Sequence, residues 1–419
     1  MRRRTFLKSL AGTAGAALAR PRPAEAALPK AKVTRIRIYK PPELNELFNQ
    51  SNMIVTVETD IGITGIGEGG SKDTLEQCAG NVIGHNPFEI ERIWHEMYMA
   101  WFYPPGREKI HAQGALDMAL WDIKGKALDV PVHQLLGGMM RDHLECYATG
   151  GLPRGDGSGS GRGAGRLSVR ENAQATIEAG FRAFRMDAAS LGNGTNAIYN
   201  THERVRQVAA DCKEAREGVG PNGDWCIDFH QRFDFADAIR ACKLIEDYEP
   251  YFVEDPVRDE QALDEIPKLR MLTTVPLAHG EEWGQRWDFH RLVYNKDIDY
   301  IRATLPNVGG ITEMVKIAAL CETSAIGIVP HFTGPISTAA LVHTLGPFSG
   351  PVLVEIGRNR TPADYLKEGL DFKDGKCWPN TRPGLGVTAD MSRLTMIGEV
   401  TEPGRKWFYR RPDGSLTHW

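Results

Sequence analysis

From about residue 144 onward, short apolar strands recur at intervals long enough for a helix and its loops, and this alternation limits the architecture more than any other feature of the chain. Strands are expected at Leu144–Thr149, Ala183–Asp187, Trp225–His230, Tyr251–Asp255, Val275–Glu281, Tyr300–Leu305, Ala325–His331 and Pro351–Glu355. Helices are expected at Ser168–Ala179, Ala197–Glu217, Phe235–Ile245, Leu263–Arg270, Trp287–Tyr294, Ile311–Thr323 and Thr338–Leu345. Eight strands alternating with helices at roughly 25 to 40 residues per unit are the pattern of an α/β fold of the (β/α)8-type barrel. An open, doubly wound sheet gives the same alternation, but the count of eight and the polar residues at several strand ends favour closure. The barrel is placed at residues 144–385, with 386–419 returning to the domain before it.

That preceding domain, residues 30–143, is of a different kind. Val33–Tyr39 and Met53–Thr59 alternate as strands, and Gly62–Gly70 turns into a third. The pattern becomes helical from Pro87 to Leu136, which gives a small α+β domain. The glycines at 62, 65, 67, 69 and 70 do not form GxGxxG opening a helix, so a hairpin is expected there rather than a phosphate cradle. Arg154–Gly165, rich in Gly, Ser and Arg, reads as a loop after the first barrel strand.

The first 26 residues read as an address. Arg3-Arg4-Thr5-Phe6-Leu7-Lys8 resembles a twin-arginine export signal, the apolar run Leu10–Leu18 follows, and Ala24-Glu25-Ala26 offers a cleavage site. The run is too short to span a bilayer permanently. Export to the periplasm of a bacterium, without a stable membrane span after signal removal, is therefore expected. A net charge of -4 and the absence of a basic tract beyond the N-terminus argue against nucleic acid as a partner. Seven scattered cysteines without a CxxC pair suit buried small hydrophobes better than a zinc site or a disulfide framework.

Strand ends carry the chemistry. Residues two apart on a strand share a face, and inward residues at the C-terminal ends of barrel strands face the site. The third strand ends in Asp228-Phe229-His230, the fourth in Glu254-Asp255-Pro256 and the fifth in His279-Gly280-Glu281. Asp228, Glu254 and Glu281 on consecutive strands can converge, and three like charges there call for a hard cation. Oxygen-only ligation suits Mg²⁺, one per site. His279, two residues before Glu281, is expected to point inward one layer deeper, as a hydrogen-bonded barrel histidine or a further acid/base or substrate contact.

These residues also carry a resemblance. Asp228-Phe229-His230, Glu254-Asp255-Pro256, Gly280-Glu281, Gly309-Gly310-Ile311-Thr312-Glu313 and Pro330-His331 are similar to the enolase superfamily, mandelate racemase subgroup. The likeness is greatest to acid-sugar dehydratases of the galactonate and mannonate dehydratase type, and it covers nearly everything after the signal. Ala119–Lys126 and Leu136-Gly137-Gly138 match that family's N-terminal capping domain, and Pro383–Val387 with Trp419 match its tail. The resemblance implies a Mg²⁺-dependent enzyme that removes the proton α to a carboxylate, eliminates the 3-hydroxyl and releases a 2-keto-3-deoxy acid. It implies His331 as the base, His230 as the acid that protonates the leaving hydroxyl, and Glu355 as a carboxyl group hydrogen-bonding the enediolate. A small-molecule sugar acid as substrate and a symmetric homo-oligomer are implied likewise.

Three positions depart from the family pattern. Where relatives often carry Lys-x-Lys, this chain has Arg185-Met186-Asp187, which argues against two-base racemases, epimerases and cycloisomerases. Arg185 and Asp187 either contact substrate or close a salt bridge within the barrel. Thr304 stands where galactonate-type enzymes place an aspartate beside the base histidine, and the neighbouring Arg302 is a further possible substrate contact, resembling the mannonate branch. A racemase or cycloisomerase, and a non-catalytic sugar-acid-binding homologue, are the alternatives to a dehydratase.

Overall fold

The computed structural model describes residues 28–42, 52–101, 103, 105–149, 167–187, 200–356, 363–405 and 408–417. The expected signal peptide, the Arg154–Gly165 stretch, Trp419 and the side chain of Asp187 lie outside the described residues. From Ala31 onward the chain forms one compact unit. Among the described residues no helix is long and apolar enough to cross a membrane. All seven cysteines are buried free thiols.

The first domain holds β1 (Val33–Lys40), β2 (Ile54–Thr59) and β3 (Thr64–Glu68), followed by α1 (Lys72–Ala79), α2 (Ile90–Met99), α3 (Arg107–Leu128) and α4 (Val132–Leu135). β1, β2 and β3 pair antiparallel, and the glycine run is indeed a hairpin: Glu58 pairs with Thr64 around a turn at Gly62. Gly65 and Gly67 have a second purpose. A Cβ at Gly67 would stand 1.9 Å from the Ala115 carbonyl oxygen and one at Gly65 2.0 Å from that of Ala119, so α3 rests directly on the backbone of β3. This close seating explains why α3 is buried along most of its length.

The second domain alternates as expected: β4 (Leu144–Thr149), α5 (Val169–Glu178), β5 (Ala183–Asp187), α6 (Thr201–Val219), β6 (Asp224–Asp228), α7 (Phe235–Ile245), β7 (Val253–Glu254), α8 (Ala262–Arg270), β8 (Leu277–His279), α9 (Arg286–Asn295), β9 (Tyr300–Ile301), α10 (Ile311–Ser324), β10 (Gly327–Ile328), α11 (Pro335–Leu345) and β11 (Val354–Ile356). Neighbouring strands from β4 to β10 pair in parallel in sequence order, and β11 returns to β4 with Glu355 opposite Tyr147. A bridge between Ile328 and Val352 joins β10 to the approach of β11, so the sheet is a closed barrel rather than an open one. Helix starts follow local chemistry. Ser168 and Glu171 cap α5 reciprocally, each accepting from the other's backbone N–H.

The barrel interior is layered. Tyr147, Ala183, Cys226, Phe252, Ala278, Val329 and Leu353 form an apolar plug, and the next inward residues along these strands are charged: Arg185, Asp228, Glu254 and Glu355. The larger apolar cluster lies outside the strands, beneath the helices. After the barrel come β12 (Leu366–Glu368), β13 (Asp371–Lys373), β14 (Lys376–Trp378), β15 (Thr388–Ala389) and β16 (Thr395–Val400). The last of these pairs antiparallel with β1, so the C-terminal segment completes the first domain's sheet.

Three buried carboxylates of the first domain hold the barrel. Asp122 accepts from the backbone N–H groups of Ile66 (3.0 Å) and Leu385 (2.8 Å) and from Lys126 Nζ (2.6 Å), which gives the Ala119–Lys126 and Pro383–Val387 motifs one structural purpose. Asp117 accepts from Thr312 N and Oγ1 at the start of α10. Glu68 accepts from Ile336 N (2.9 Å), Ser337 N (2.9 Å) and Ser337 Oγ (3.0 Å) at the start of α11. Asp117 and Glu68 thus meet the unpaired donors and the positive end of a helix, as at an N-cap, but from another domain.

Burial pushes the Glu68 carboxyl up to about 7 despite its hydrogen bonds to Ser337 and Ile336. A carboxyl whose folded pKa is raised binds protons in the folded state that the unfolded chain has released. Its contribution therefore declines as pH rises from the ordinary value of 4.5 towards 7 and is constant above that range. Glu68→Gln keeps the acceptor oxygen and removes the titration. Urea unfolding of the variant should show a shallower loss of stability between pH 4.5 and 7 than the parent, and parallel profiles would show that Glu68 does not titrate there.

Candidate active site

Register places the strand-end groups. Asp228 pairs with Glu254 across β6 and β7, and Arg185 pairs with Cys226 one step below Asp228. Glu254 is fully buried, Asp228 nearly so, and Glu281 is 8% exposed. Glu281 reaches this group by a change of parity. Ala278 belongs to the inner plug, so His279 points outward, and Gly280 at φ 103° turns the chain so that Glu281 re-enters. A Cβ on Gly280 would stand 2.8 Å from the Phe289 ring, which leaves glycine as the residue for this bend.

His279 therefore does not lie where its spacing predicts. It is fully buried on the outer face, with Nδ1 3.0 Å from Asp255 Oδ1 and Nε2 3.1 Å from Asp259 Oδ1. Its pKa rises to about 9: burial opposes the charge, and Asp255 and Asp259 together outweigh it. Both ring nitrogens are engaged by carboxylates, so the ring holds the outer side of β7 and β8 together and is not a substrate contact.

The charge at the centre is balanced by two arginines. Arg185 pairs with Asp228 through Nη2, lies 3.2 Å from Glu254 Oε2 through Nε, and donates to Glu355 Oε1 at 2.8 Å through Nη1. Arg302, fully buried, brings Nη2 to 2.5 Å from Glu254 Oε1, 3.2 Å from Glu281 Oε2 and 2.7 Å from Glu355 Oε2. Its Nη1 donates to Tyr147 Oη (2.5 Å) and to the Val329 carbonyl (2.9 Å). Of the two roles open to Arg185, the salt bridge is the one observed, and Arg302 likewise faces carboxylates rather than a substrate space.

This corrects the argument that three converging carboxylates lack any compensating charge except a metal ion. Two guanidinium groups supply it, and among the described residues no three His, Cys, Asp or Glu side chains are gathered closely enough to hold a metal. The donor chemistry nonetheless fits a hard cation. Every group is a carboxylate, and neither oxygen of the wholly buried Glu254 receives an aligned hydrogen bond, although both lie within ion-pair distance of a guanidinium. Burial raises Glu254 well above the ordinary carboxylate range and Asp228 to about 7, against the pull of Arg185. Burial outweighs the guanidinium groups beside them, so a further positive charge would favour their ionised forms.

Glu355 also departs from the implied role. It accepts from Thr149 Oγ1, Arg185 Nη1, Arg302 Nη2 and the backbone N–H of Phe332 (3.1 Å). Those four donors use the lone pairs of a carboxylate. Burial favours its neutral form, yet Arg185, Arg302 and His331 hold its pKa well below the ordinary value, so it is an anion without a proton to donate. It anchors the arginines and the turn after His331 rather than an enediolate.

The two histidines flank Glu281. His230 Nε2 is 4.0 Å from Glu281 Oε1 and His331 Nε2 is 3.7 Å from Oε2. The His230 side chain is 45% exposed, whereas that of His331 is 9% exposed and its Nδ1 is buried without a hydrogen bond. His230 and Gln231 (φ 50° and 57°) and Asp255 (φ 43°) all occupy the left-handed region at adjacent strand ends. Such strain in residues other than glycine collects where side chains must be aimed. His230 N donates to Asp228 Oδ1 at 2.5 Å, which ties the histidine's position to the carboxylate. Thr304, in place of the family's aspartate, donates through Oγ1 to the Glu281 carbonyl (3.2 Å), as does Asn307 Nδ2 (3.2 Å), and so braces the segment that carries Glu281. Tyr147 and Thr149, which sequence reasoning passed over, complete the arginine network. The inward parity of both on β4 was the available signal. A cleft of about 330 Å³ is lined by Arg107, Asp259, Glu282, Trp283, Gln285 and Asp288 among others, and by none of Asp228, His230, Glu254, Glu281 and His331.

Comparison with known proteins bears on this geometry. Residues 168–393 match the family described as enolase C-terminal domain-like, and residues 43–137 match the mandelate racemase / muconate lactonizing enzyme N-terminal domain. A D-galactonate dehydratase from Pectobacterium atrosepticum is 34% identical over 405 residues, 93% of this chain and 100% of that protein. Another, from Xanthomonas oryzae pv. oryzae, is 35% identical over 88% of this chain and 96% of its own length. Among solved structures, a member of the enolase superfamily from Salmonella Typhimurium superposes with a TM-score of 0.79 at 25% identity, covering 88% of this chain and all of that one.

The arginine network has a measurable weight. Arg185→Gln leaves Asp228 without a guanidinium and Glu254 and Glu355 with Arg302 alone in a dry site, and breaking a buried pair costs about 3 kcal/mol or more. Urea unfolding of the metal-stripped variant should show that loss, and a change below about 1 kcal/mol, the range of exposed pairs, would contradict the balance described here.

Proposed function

We propose that this chain, which belongs to the enolase superfamily and is a hydro-lyase, is a Mg²⁺-dependent dehydratase of an aldonate-type sugar acid. The observation that carries the proposal is the pair of imidazoles beside the two oxygens of Glu281, one buried and one open to solvent. The dehydratase relatives, similar along nearly their whole length, supply the reaction class.

Asp228, Glu254 and Glu281 are the residues that would hold the cation. When bound, it supplies positive charge towards the substrate carboxylate, which lowers the cost of the negative charge that develops as the α-proton leaves. His331, shielded from water, takes the proton from C2. His230, open to solvent, gives a proton to the 3-hydroxyl as the C3–O bond breaks, because water leaves far more readily than hydroxide. The resulting enol gains a proton at C3 and loses one from oxygen, giving a 2-keto-3-deoxy acid. The net change is the loss of one water.

The N-terminal twin-arginine pattern supports export to the periplasm as a folded protein, and the family resemblance supports a symmetric homo-oligomer. Arg185-Met186-Asp187 in place of Lys-x-Lys leaves the side opposite His331 without a lysine base, which favours elimination over inversion.

An aldonate and aldarate library incubated with the enzyme and Mg²⁺ should yield a 2-keto-3-deoxy product from at least one member. His331→Asn should abolish exchange of the C2 proton with solvent deuterium. Inversion at C2 without dehydration, or exchange that survives in the variant, would move the chain to another reaction or the base to another residue.

A further inference from the structure

Arg302 differs from the other buried cations in what one of its atoms does. Its Nη2 lies within 3.2 Å of carboxylate oxygens from Glu254, Glu281 and Glu355 at once. An arginine terminal nitrogen has two N–H bonds, so it cannot direct one at each of three anions. Glu254 shows the consequence, since its Oε1 is 2.5 Å from Nη2 and still receives no aligned hydrogen bond. Glu254 is held by proximity to charge, as it would be by a spherical ion. Two of the three anions, Glu254 and Glu281, are also two of the three cation ligands in the proposed reaction.

The other half of the guanidinium is anchored differently. Nη1 donates to Tyr147 Oη and to the Val329 carbonyl. Glu355 is also held by Arg185 and Thr149 at Oε1 and by the Phe332 N–H at Oε2, so it has anchors independent of Glu254. Three of Arg302's partners, Tyr147, Val329 and Glu355, include no proposed ligand, while its buried Nε has no hydrogen-bond partner.

We propose that Arg302 is a built-in counter-cation: in the metal-free protein its Nη2 stands at the divalent cation's place, and the cation binds by exchange with it. The guanidinium withdraws to Tyr147, Val329 and Glu355 when the ion enters. This rests on Asp228, Glu254 and Glu281 being the ligands. Its first consequence is that the barrel mouth is charge-compensated in both states, so the chain folds before it meets a metal. Its second is that cation affinity is reduced by the work of displacing an arginine already paired with the ligands.

The test is Mn²⁺ binding to the full chain stripped with chelator, followed by the electron paramagnetic resonance of free Mn²⁺, for the parent and for Arg302→Met. Removal of the competing charge should tighten Mn²⁺ binding by about tenfold or more. The metal-free variant should melt below the parent and recover on Mn²⁺ addition. Equal or weaker binding by the variant overturns the exchange while leaving the metal site intact. If neither protein binds Mn²⁺, and Asp228→Asn changes nothing, the metal site itself fails and the exchange with it. Should Arg302→Met not fold, the parent labelled with ¹⁵N at the arginine side chains decides the matter. One of its slowly exchanging guanidinium signals should shift on titration with diamagnetic Mg²⁺, and signals that stay fixed throughout the titration overturn the proposal.

Discussion

Two guanidinium groups among four carboxylates, at the inner ends of parallel strands, are the arrangement on which the rest of the site depends. Asp228, Glu254, Glu281 and Glu355 could not share a water-poor barrel mouth as bare anions, because like charges at contact distance in a low dielectric cost several kcal/mol. Arg185 and Arg302 make the arrangement tolerable, each touching three of the four. Their burial is affordable only because the carboxylates are there. Neither set survives alone, and the geometry of each fixes the other. Burial still raises the pKa values of Glu254 and Asp228 against the pull of the guanidinium groups. In the functional reading a divalent ion would add positive charge beside these buried oxygens.

The same chemistry, used for assembly, joins the two domains. Glu68, Asp117 and Asp122 are buried acids of the first domain that receive backbone N–H groups from the barrel side. Glu68 holds the start of α11, a few residues beyond His331, and Asp117 holds the start of α10, beyond the segment that carries Thr304. The first domain thus fixes two of the loops that shape the barrel mouth. Gly65 and Gly67 allow this by letting α3 sit on the strand backbone without intervening side chains.

The barrel was legible in the sequence because it depends on local pattern: short apolar strands at regular spacing, with closure marked by their number. Asp228 and Glu254 were legible because each follows the inward parity of its strand. Glu281 lies with Asp228 and Glu254 although the parity argument misplaced His279, since the turn at Gly280 exchanges the faces of the two residues. The charge balance was not legible. Arg185 on β5, Arg302 after β9 and Glu355 on β11 meet across the barrel, and no local pattern reports a meeting between residues so far apart in the chain. Glu355 was consequently assigned a bond to the substrate when its lone pairs were already taken by the protein. Thr304, noted as the loss of an aspartate, was found to brace the backbone of Glu281 instead.

The central claim is that the strand-end carboxylates form a cation site whose place Arg302 keeps when no metal is present. Crystals of the full chain grown with and without Mn²⁺, with diffraction collected at the manganese edge, test it most directly. The account predicts one anomalous peak at about 2.0–2.3 Å from oxygens of Asp228, Glu254 and Glu281, the range of hard-cation bonds to carboxylates. In the same map the Arg302 guanidinium should be withdrawn towards Tyr147 and Glu355. A saturated crystal with no peak at these residues, and with Arg302 Nη2 still seated between Glu254 and Glu281, would contradict it.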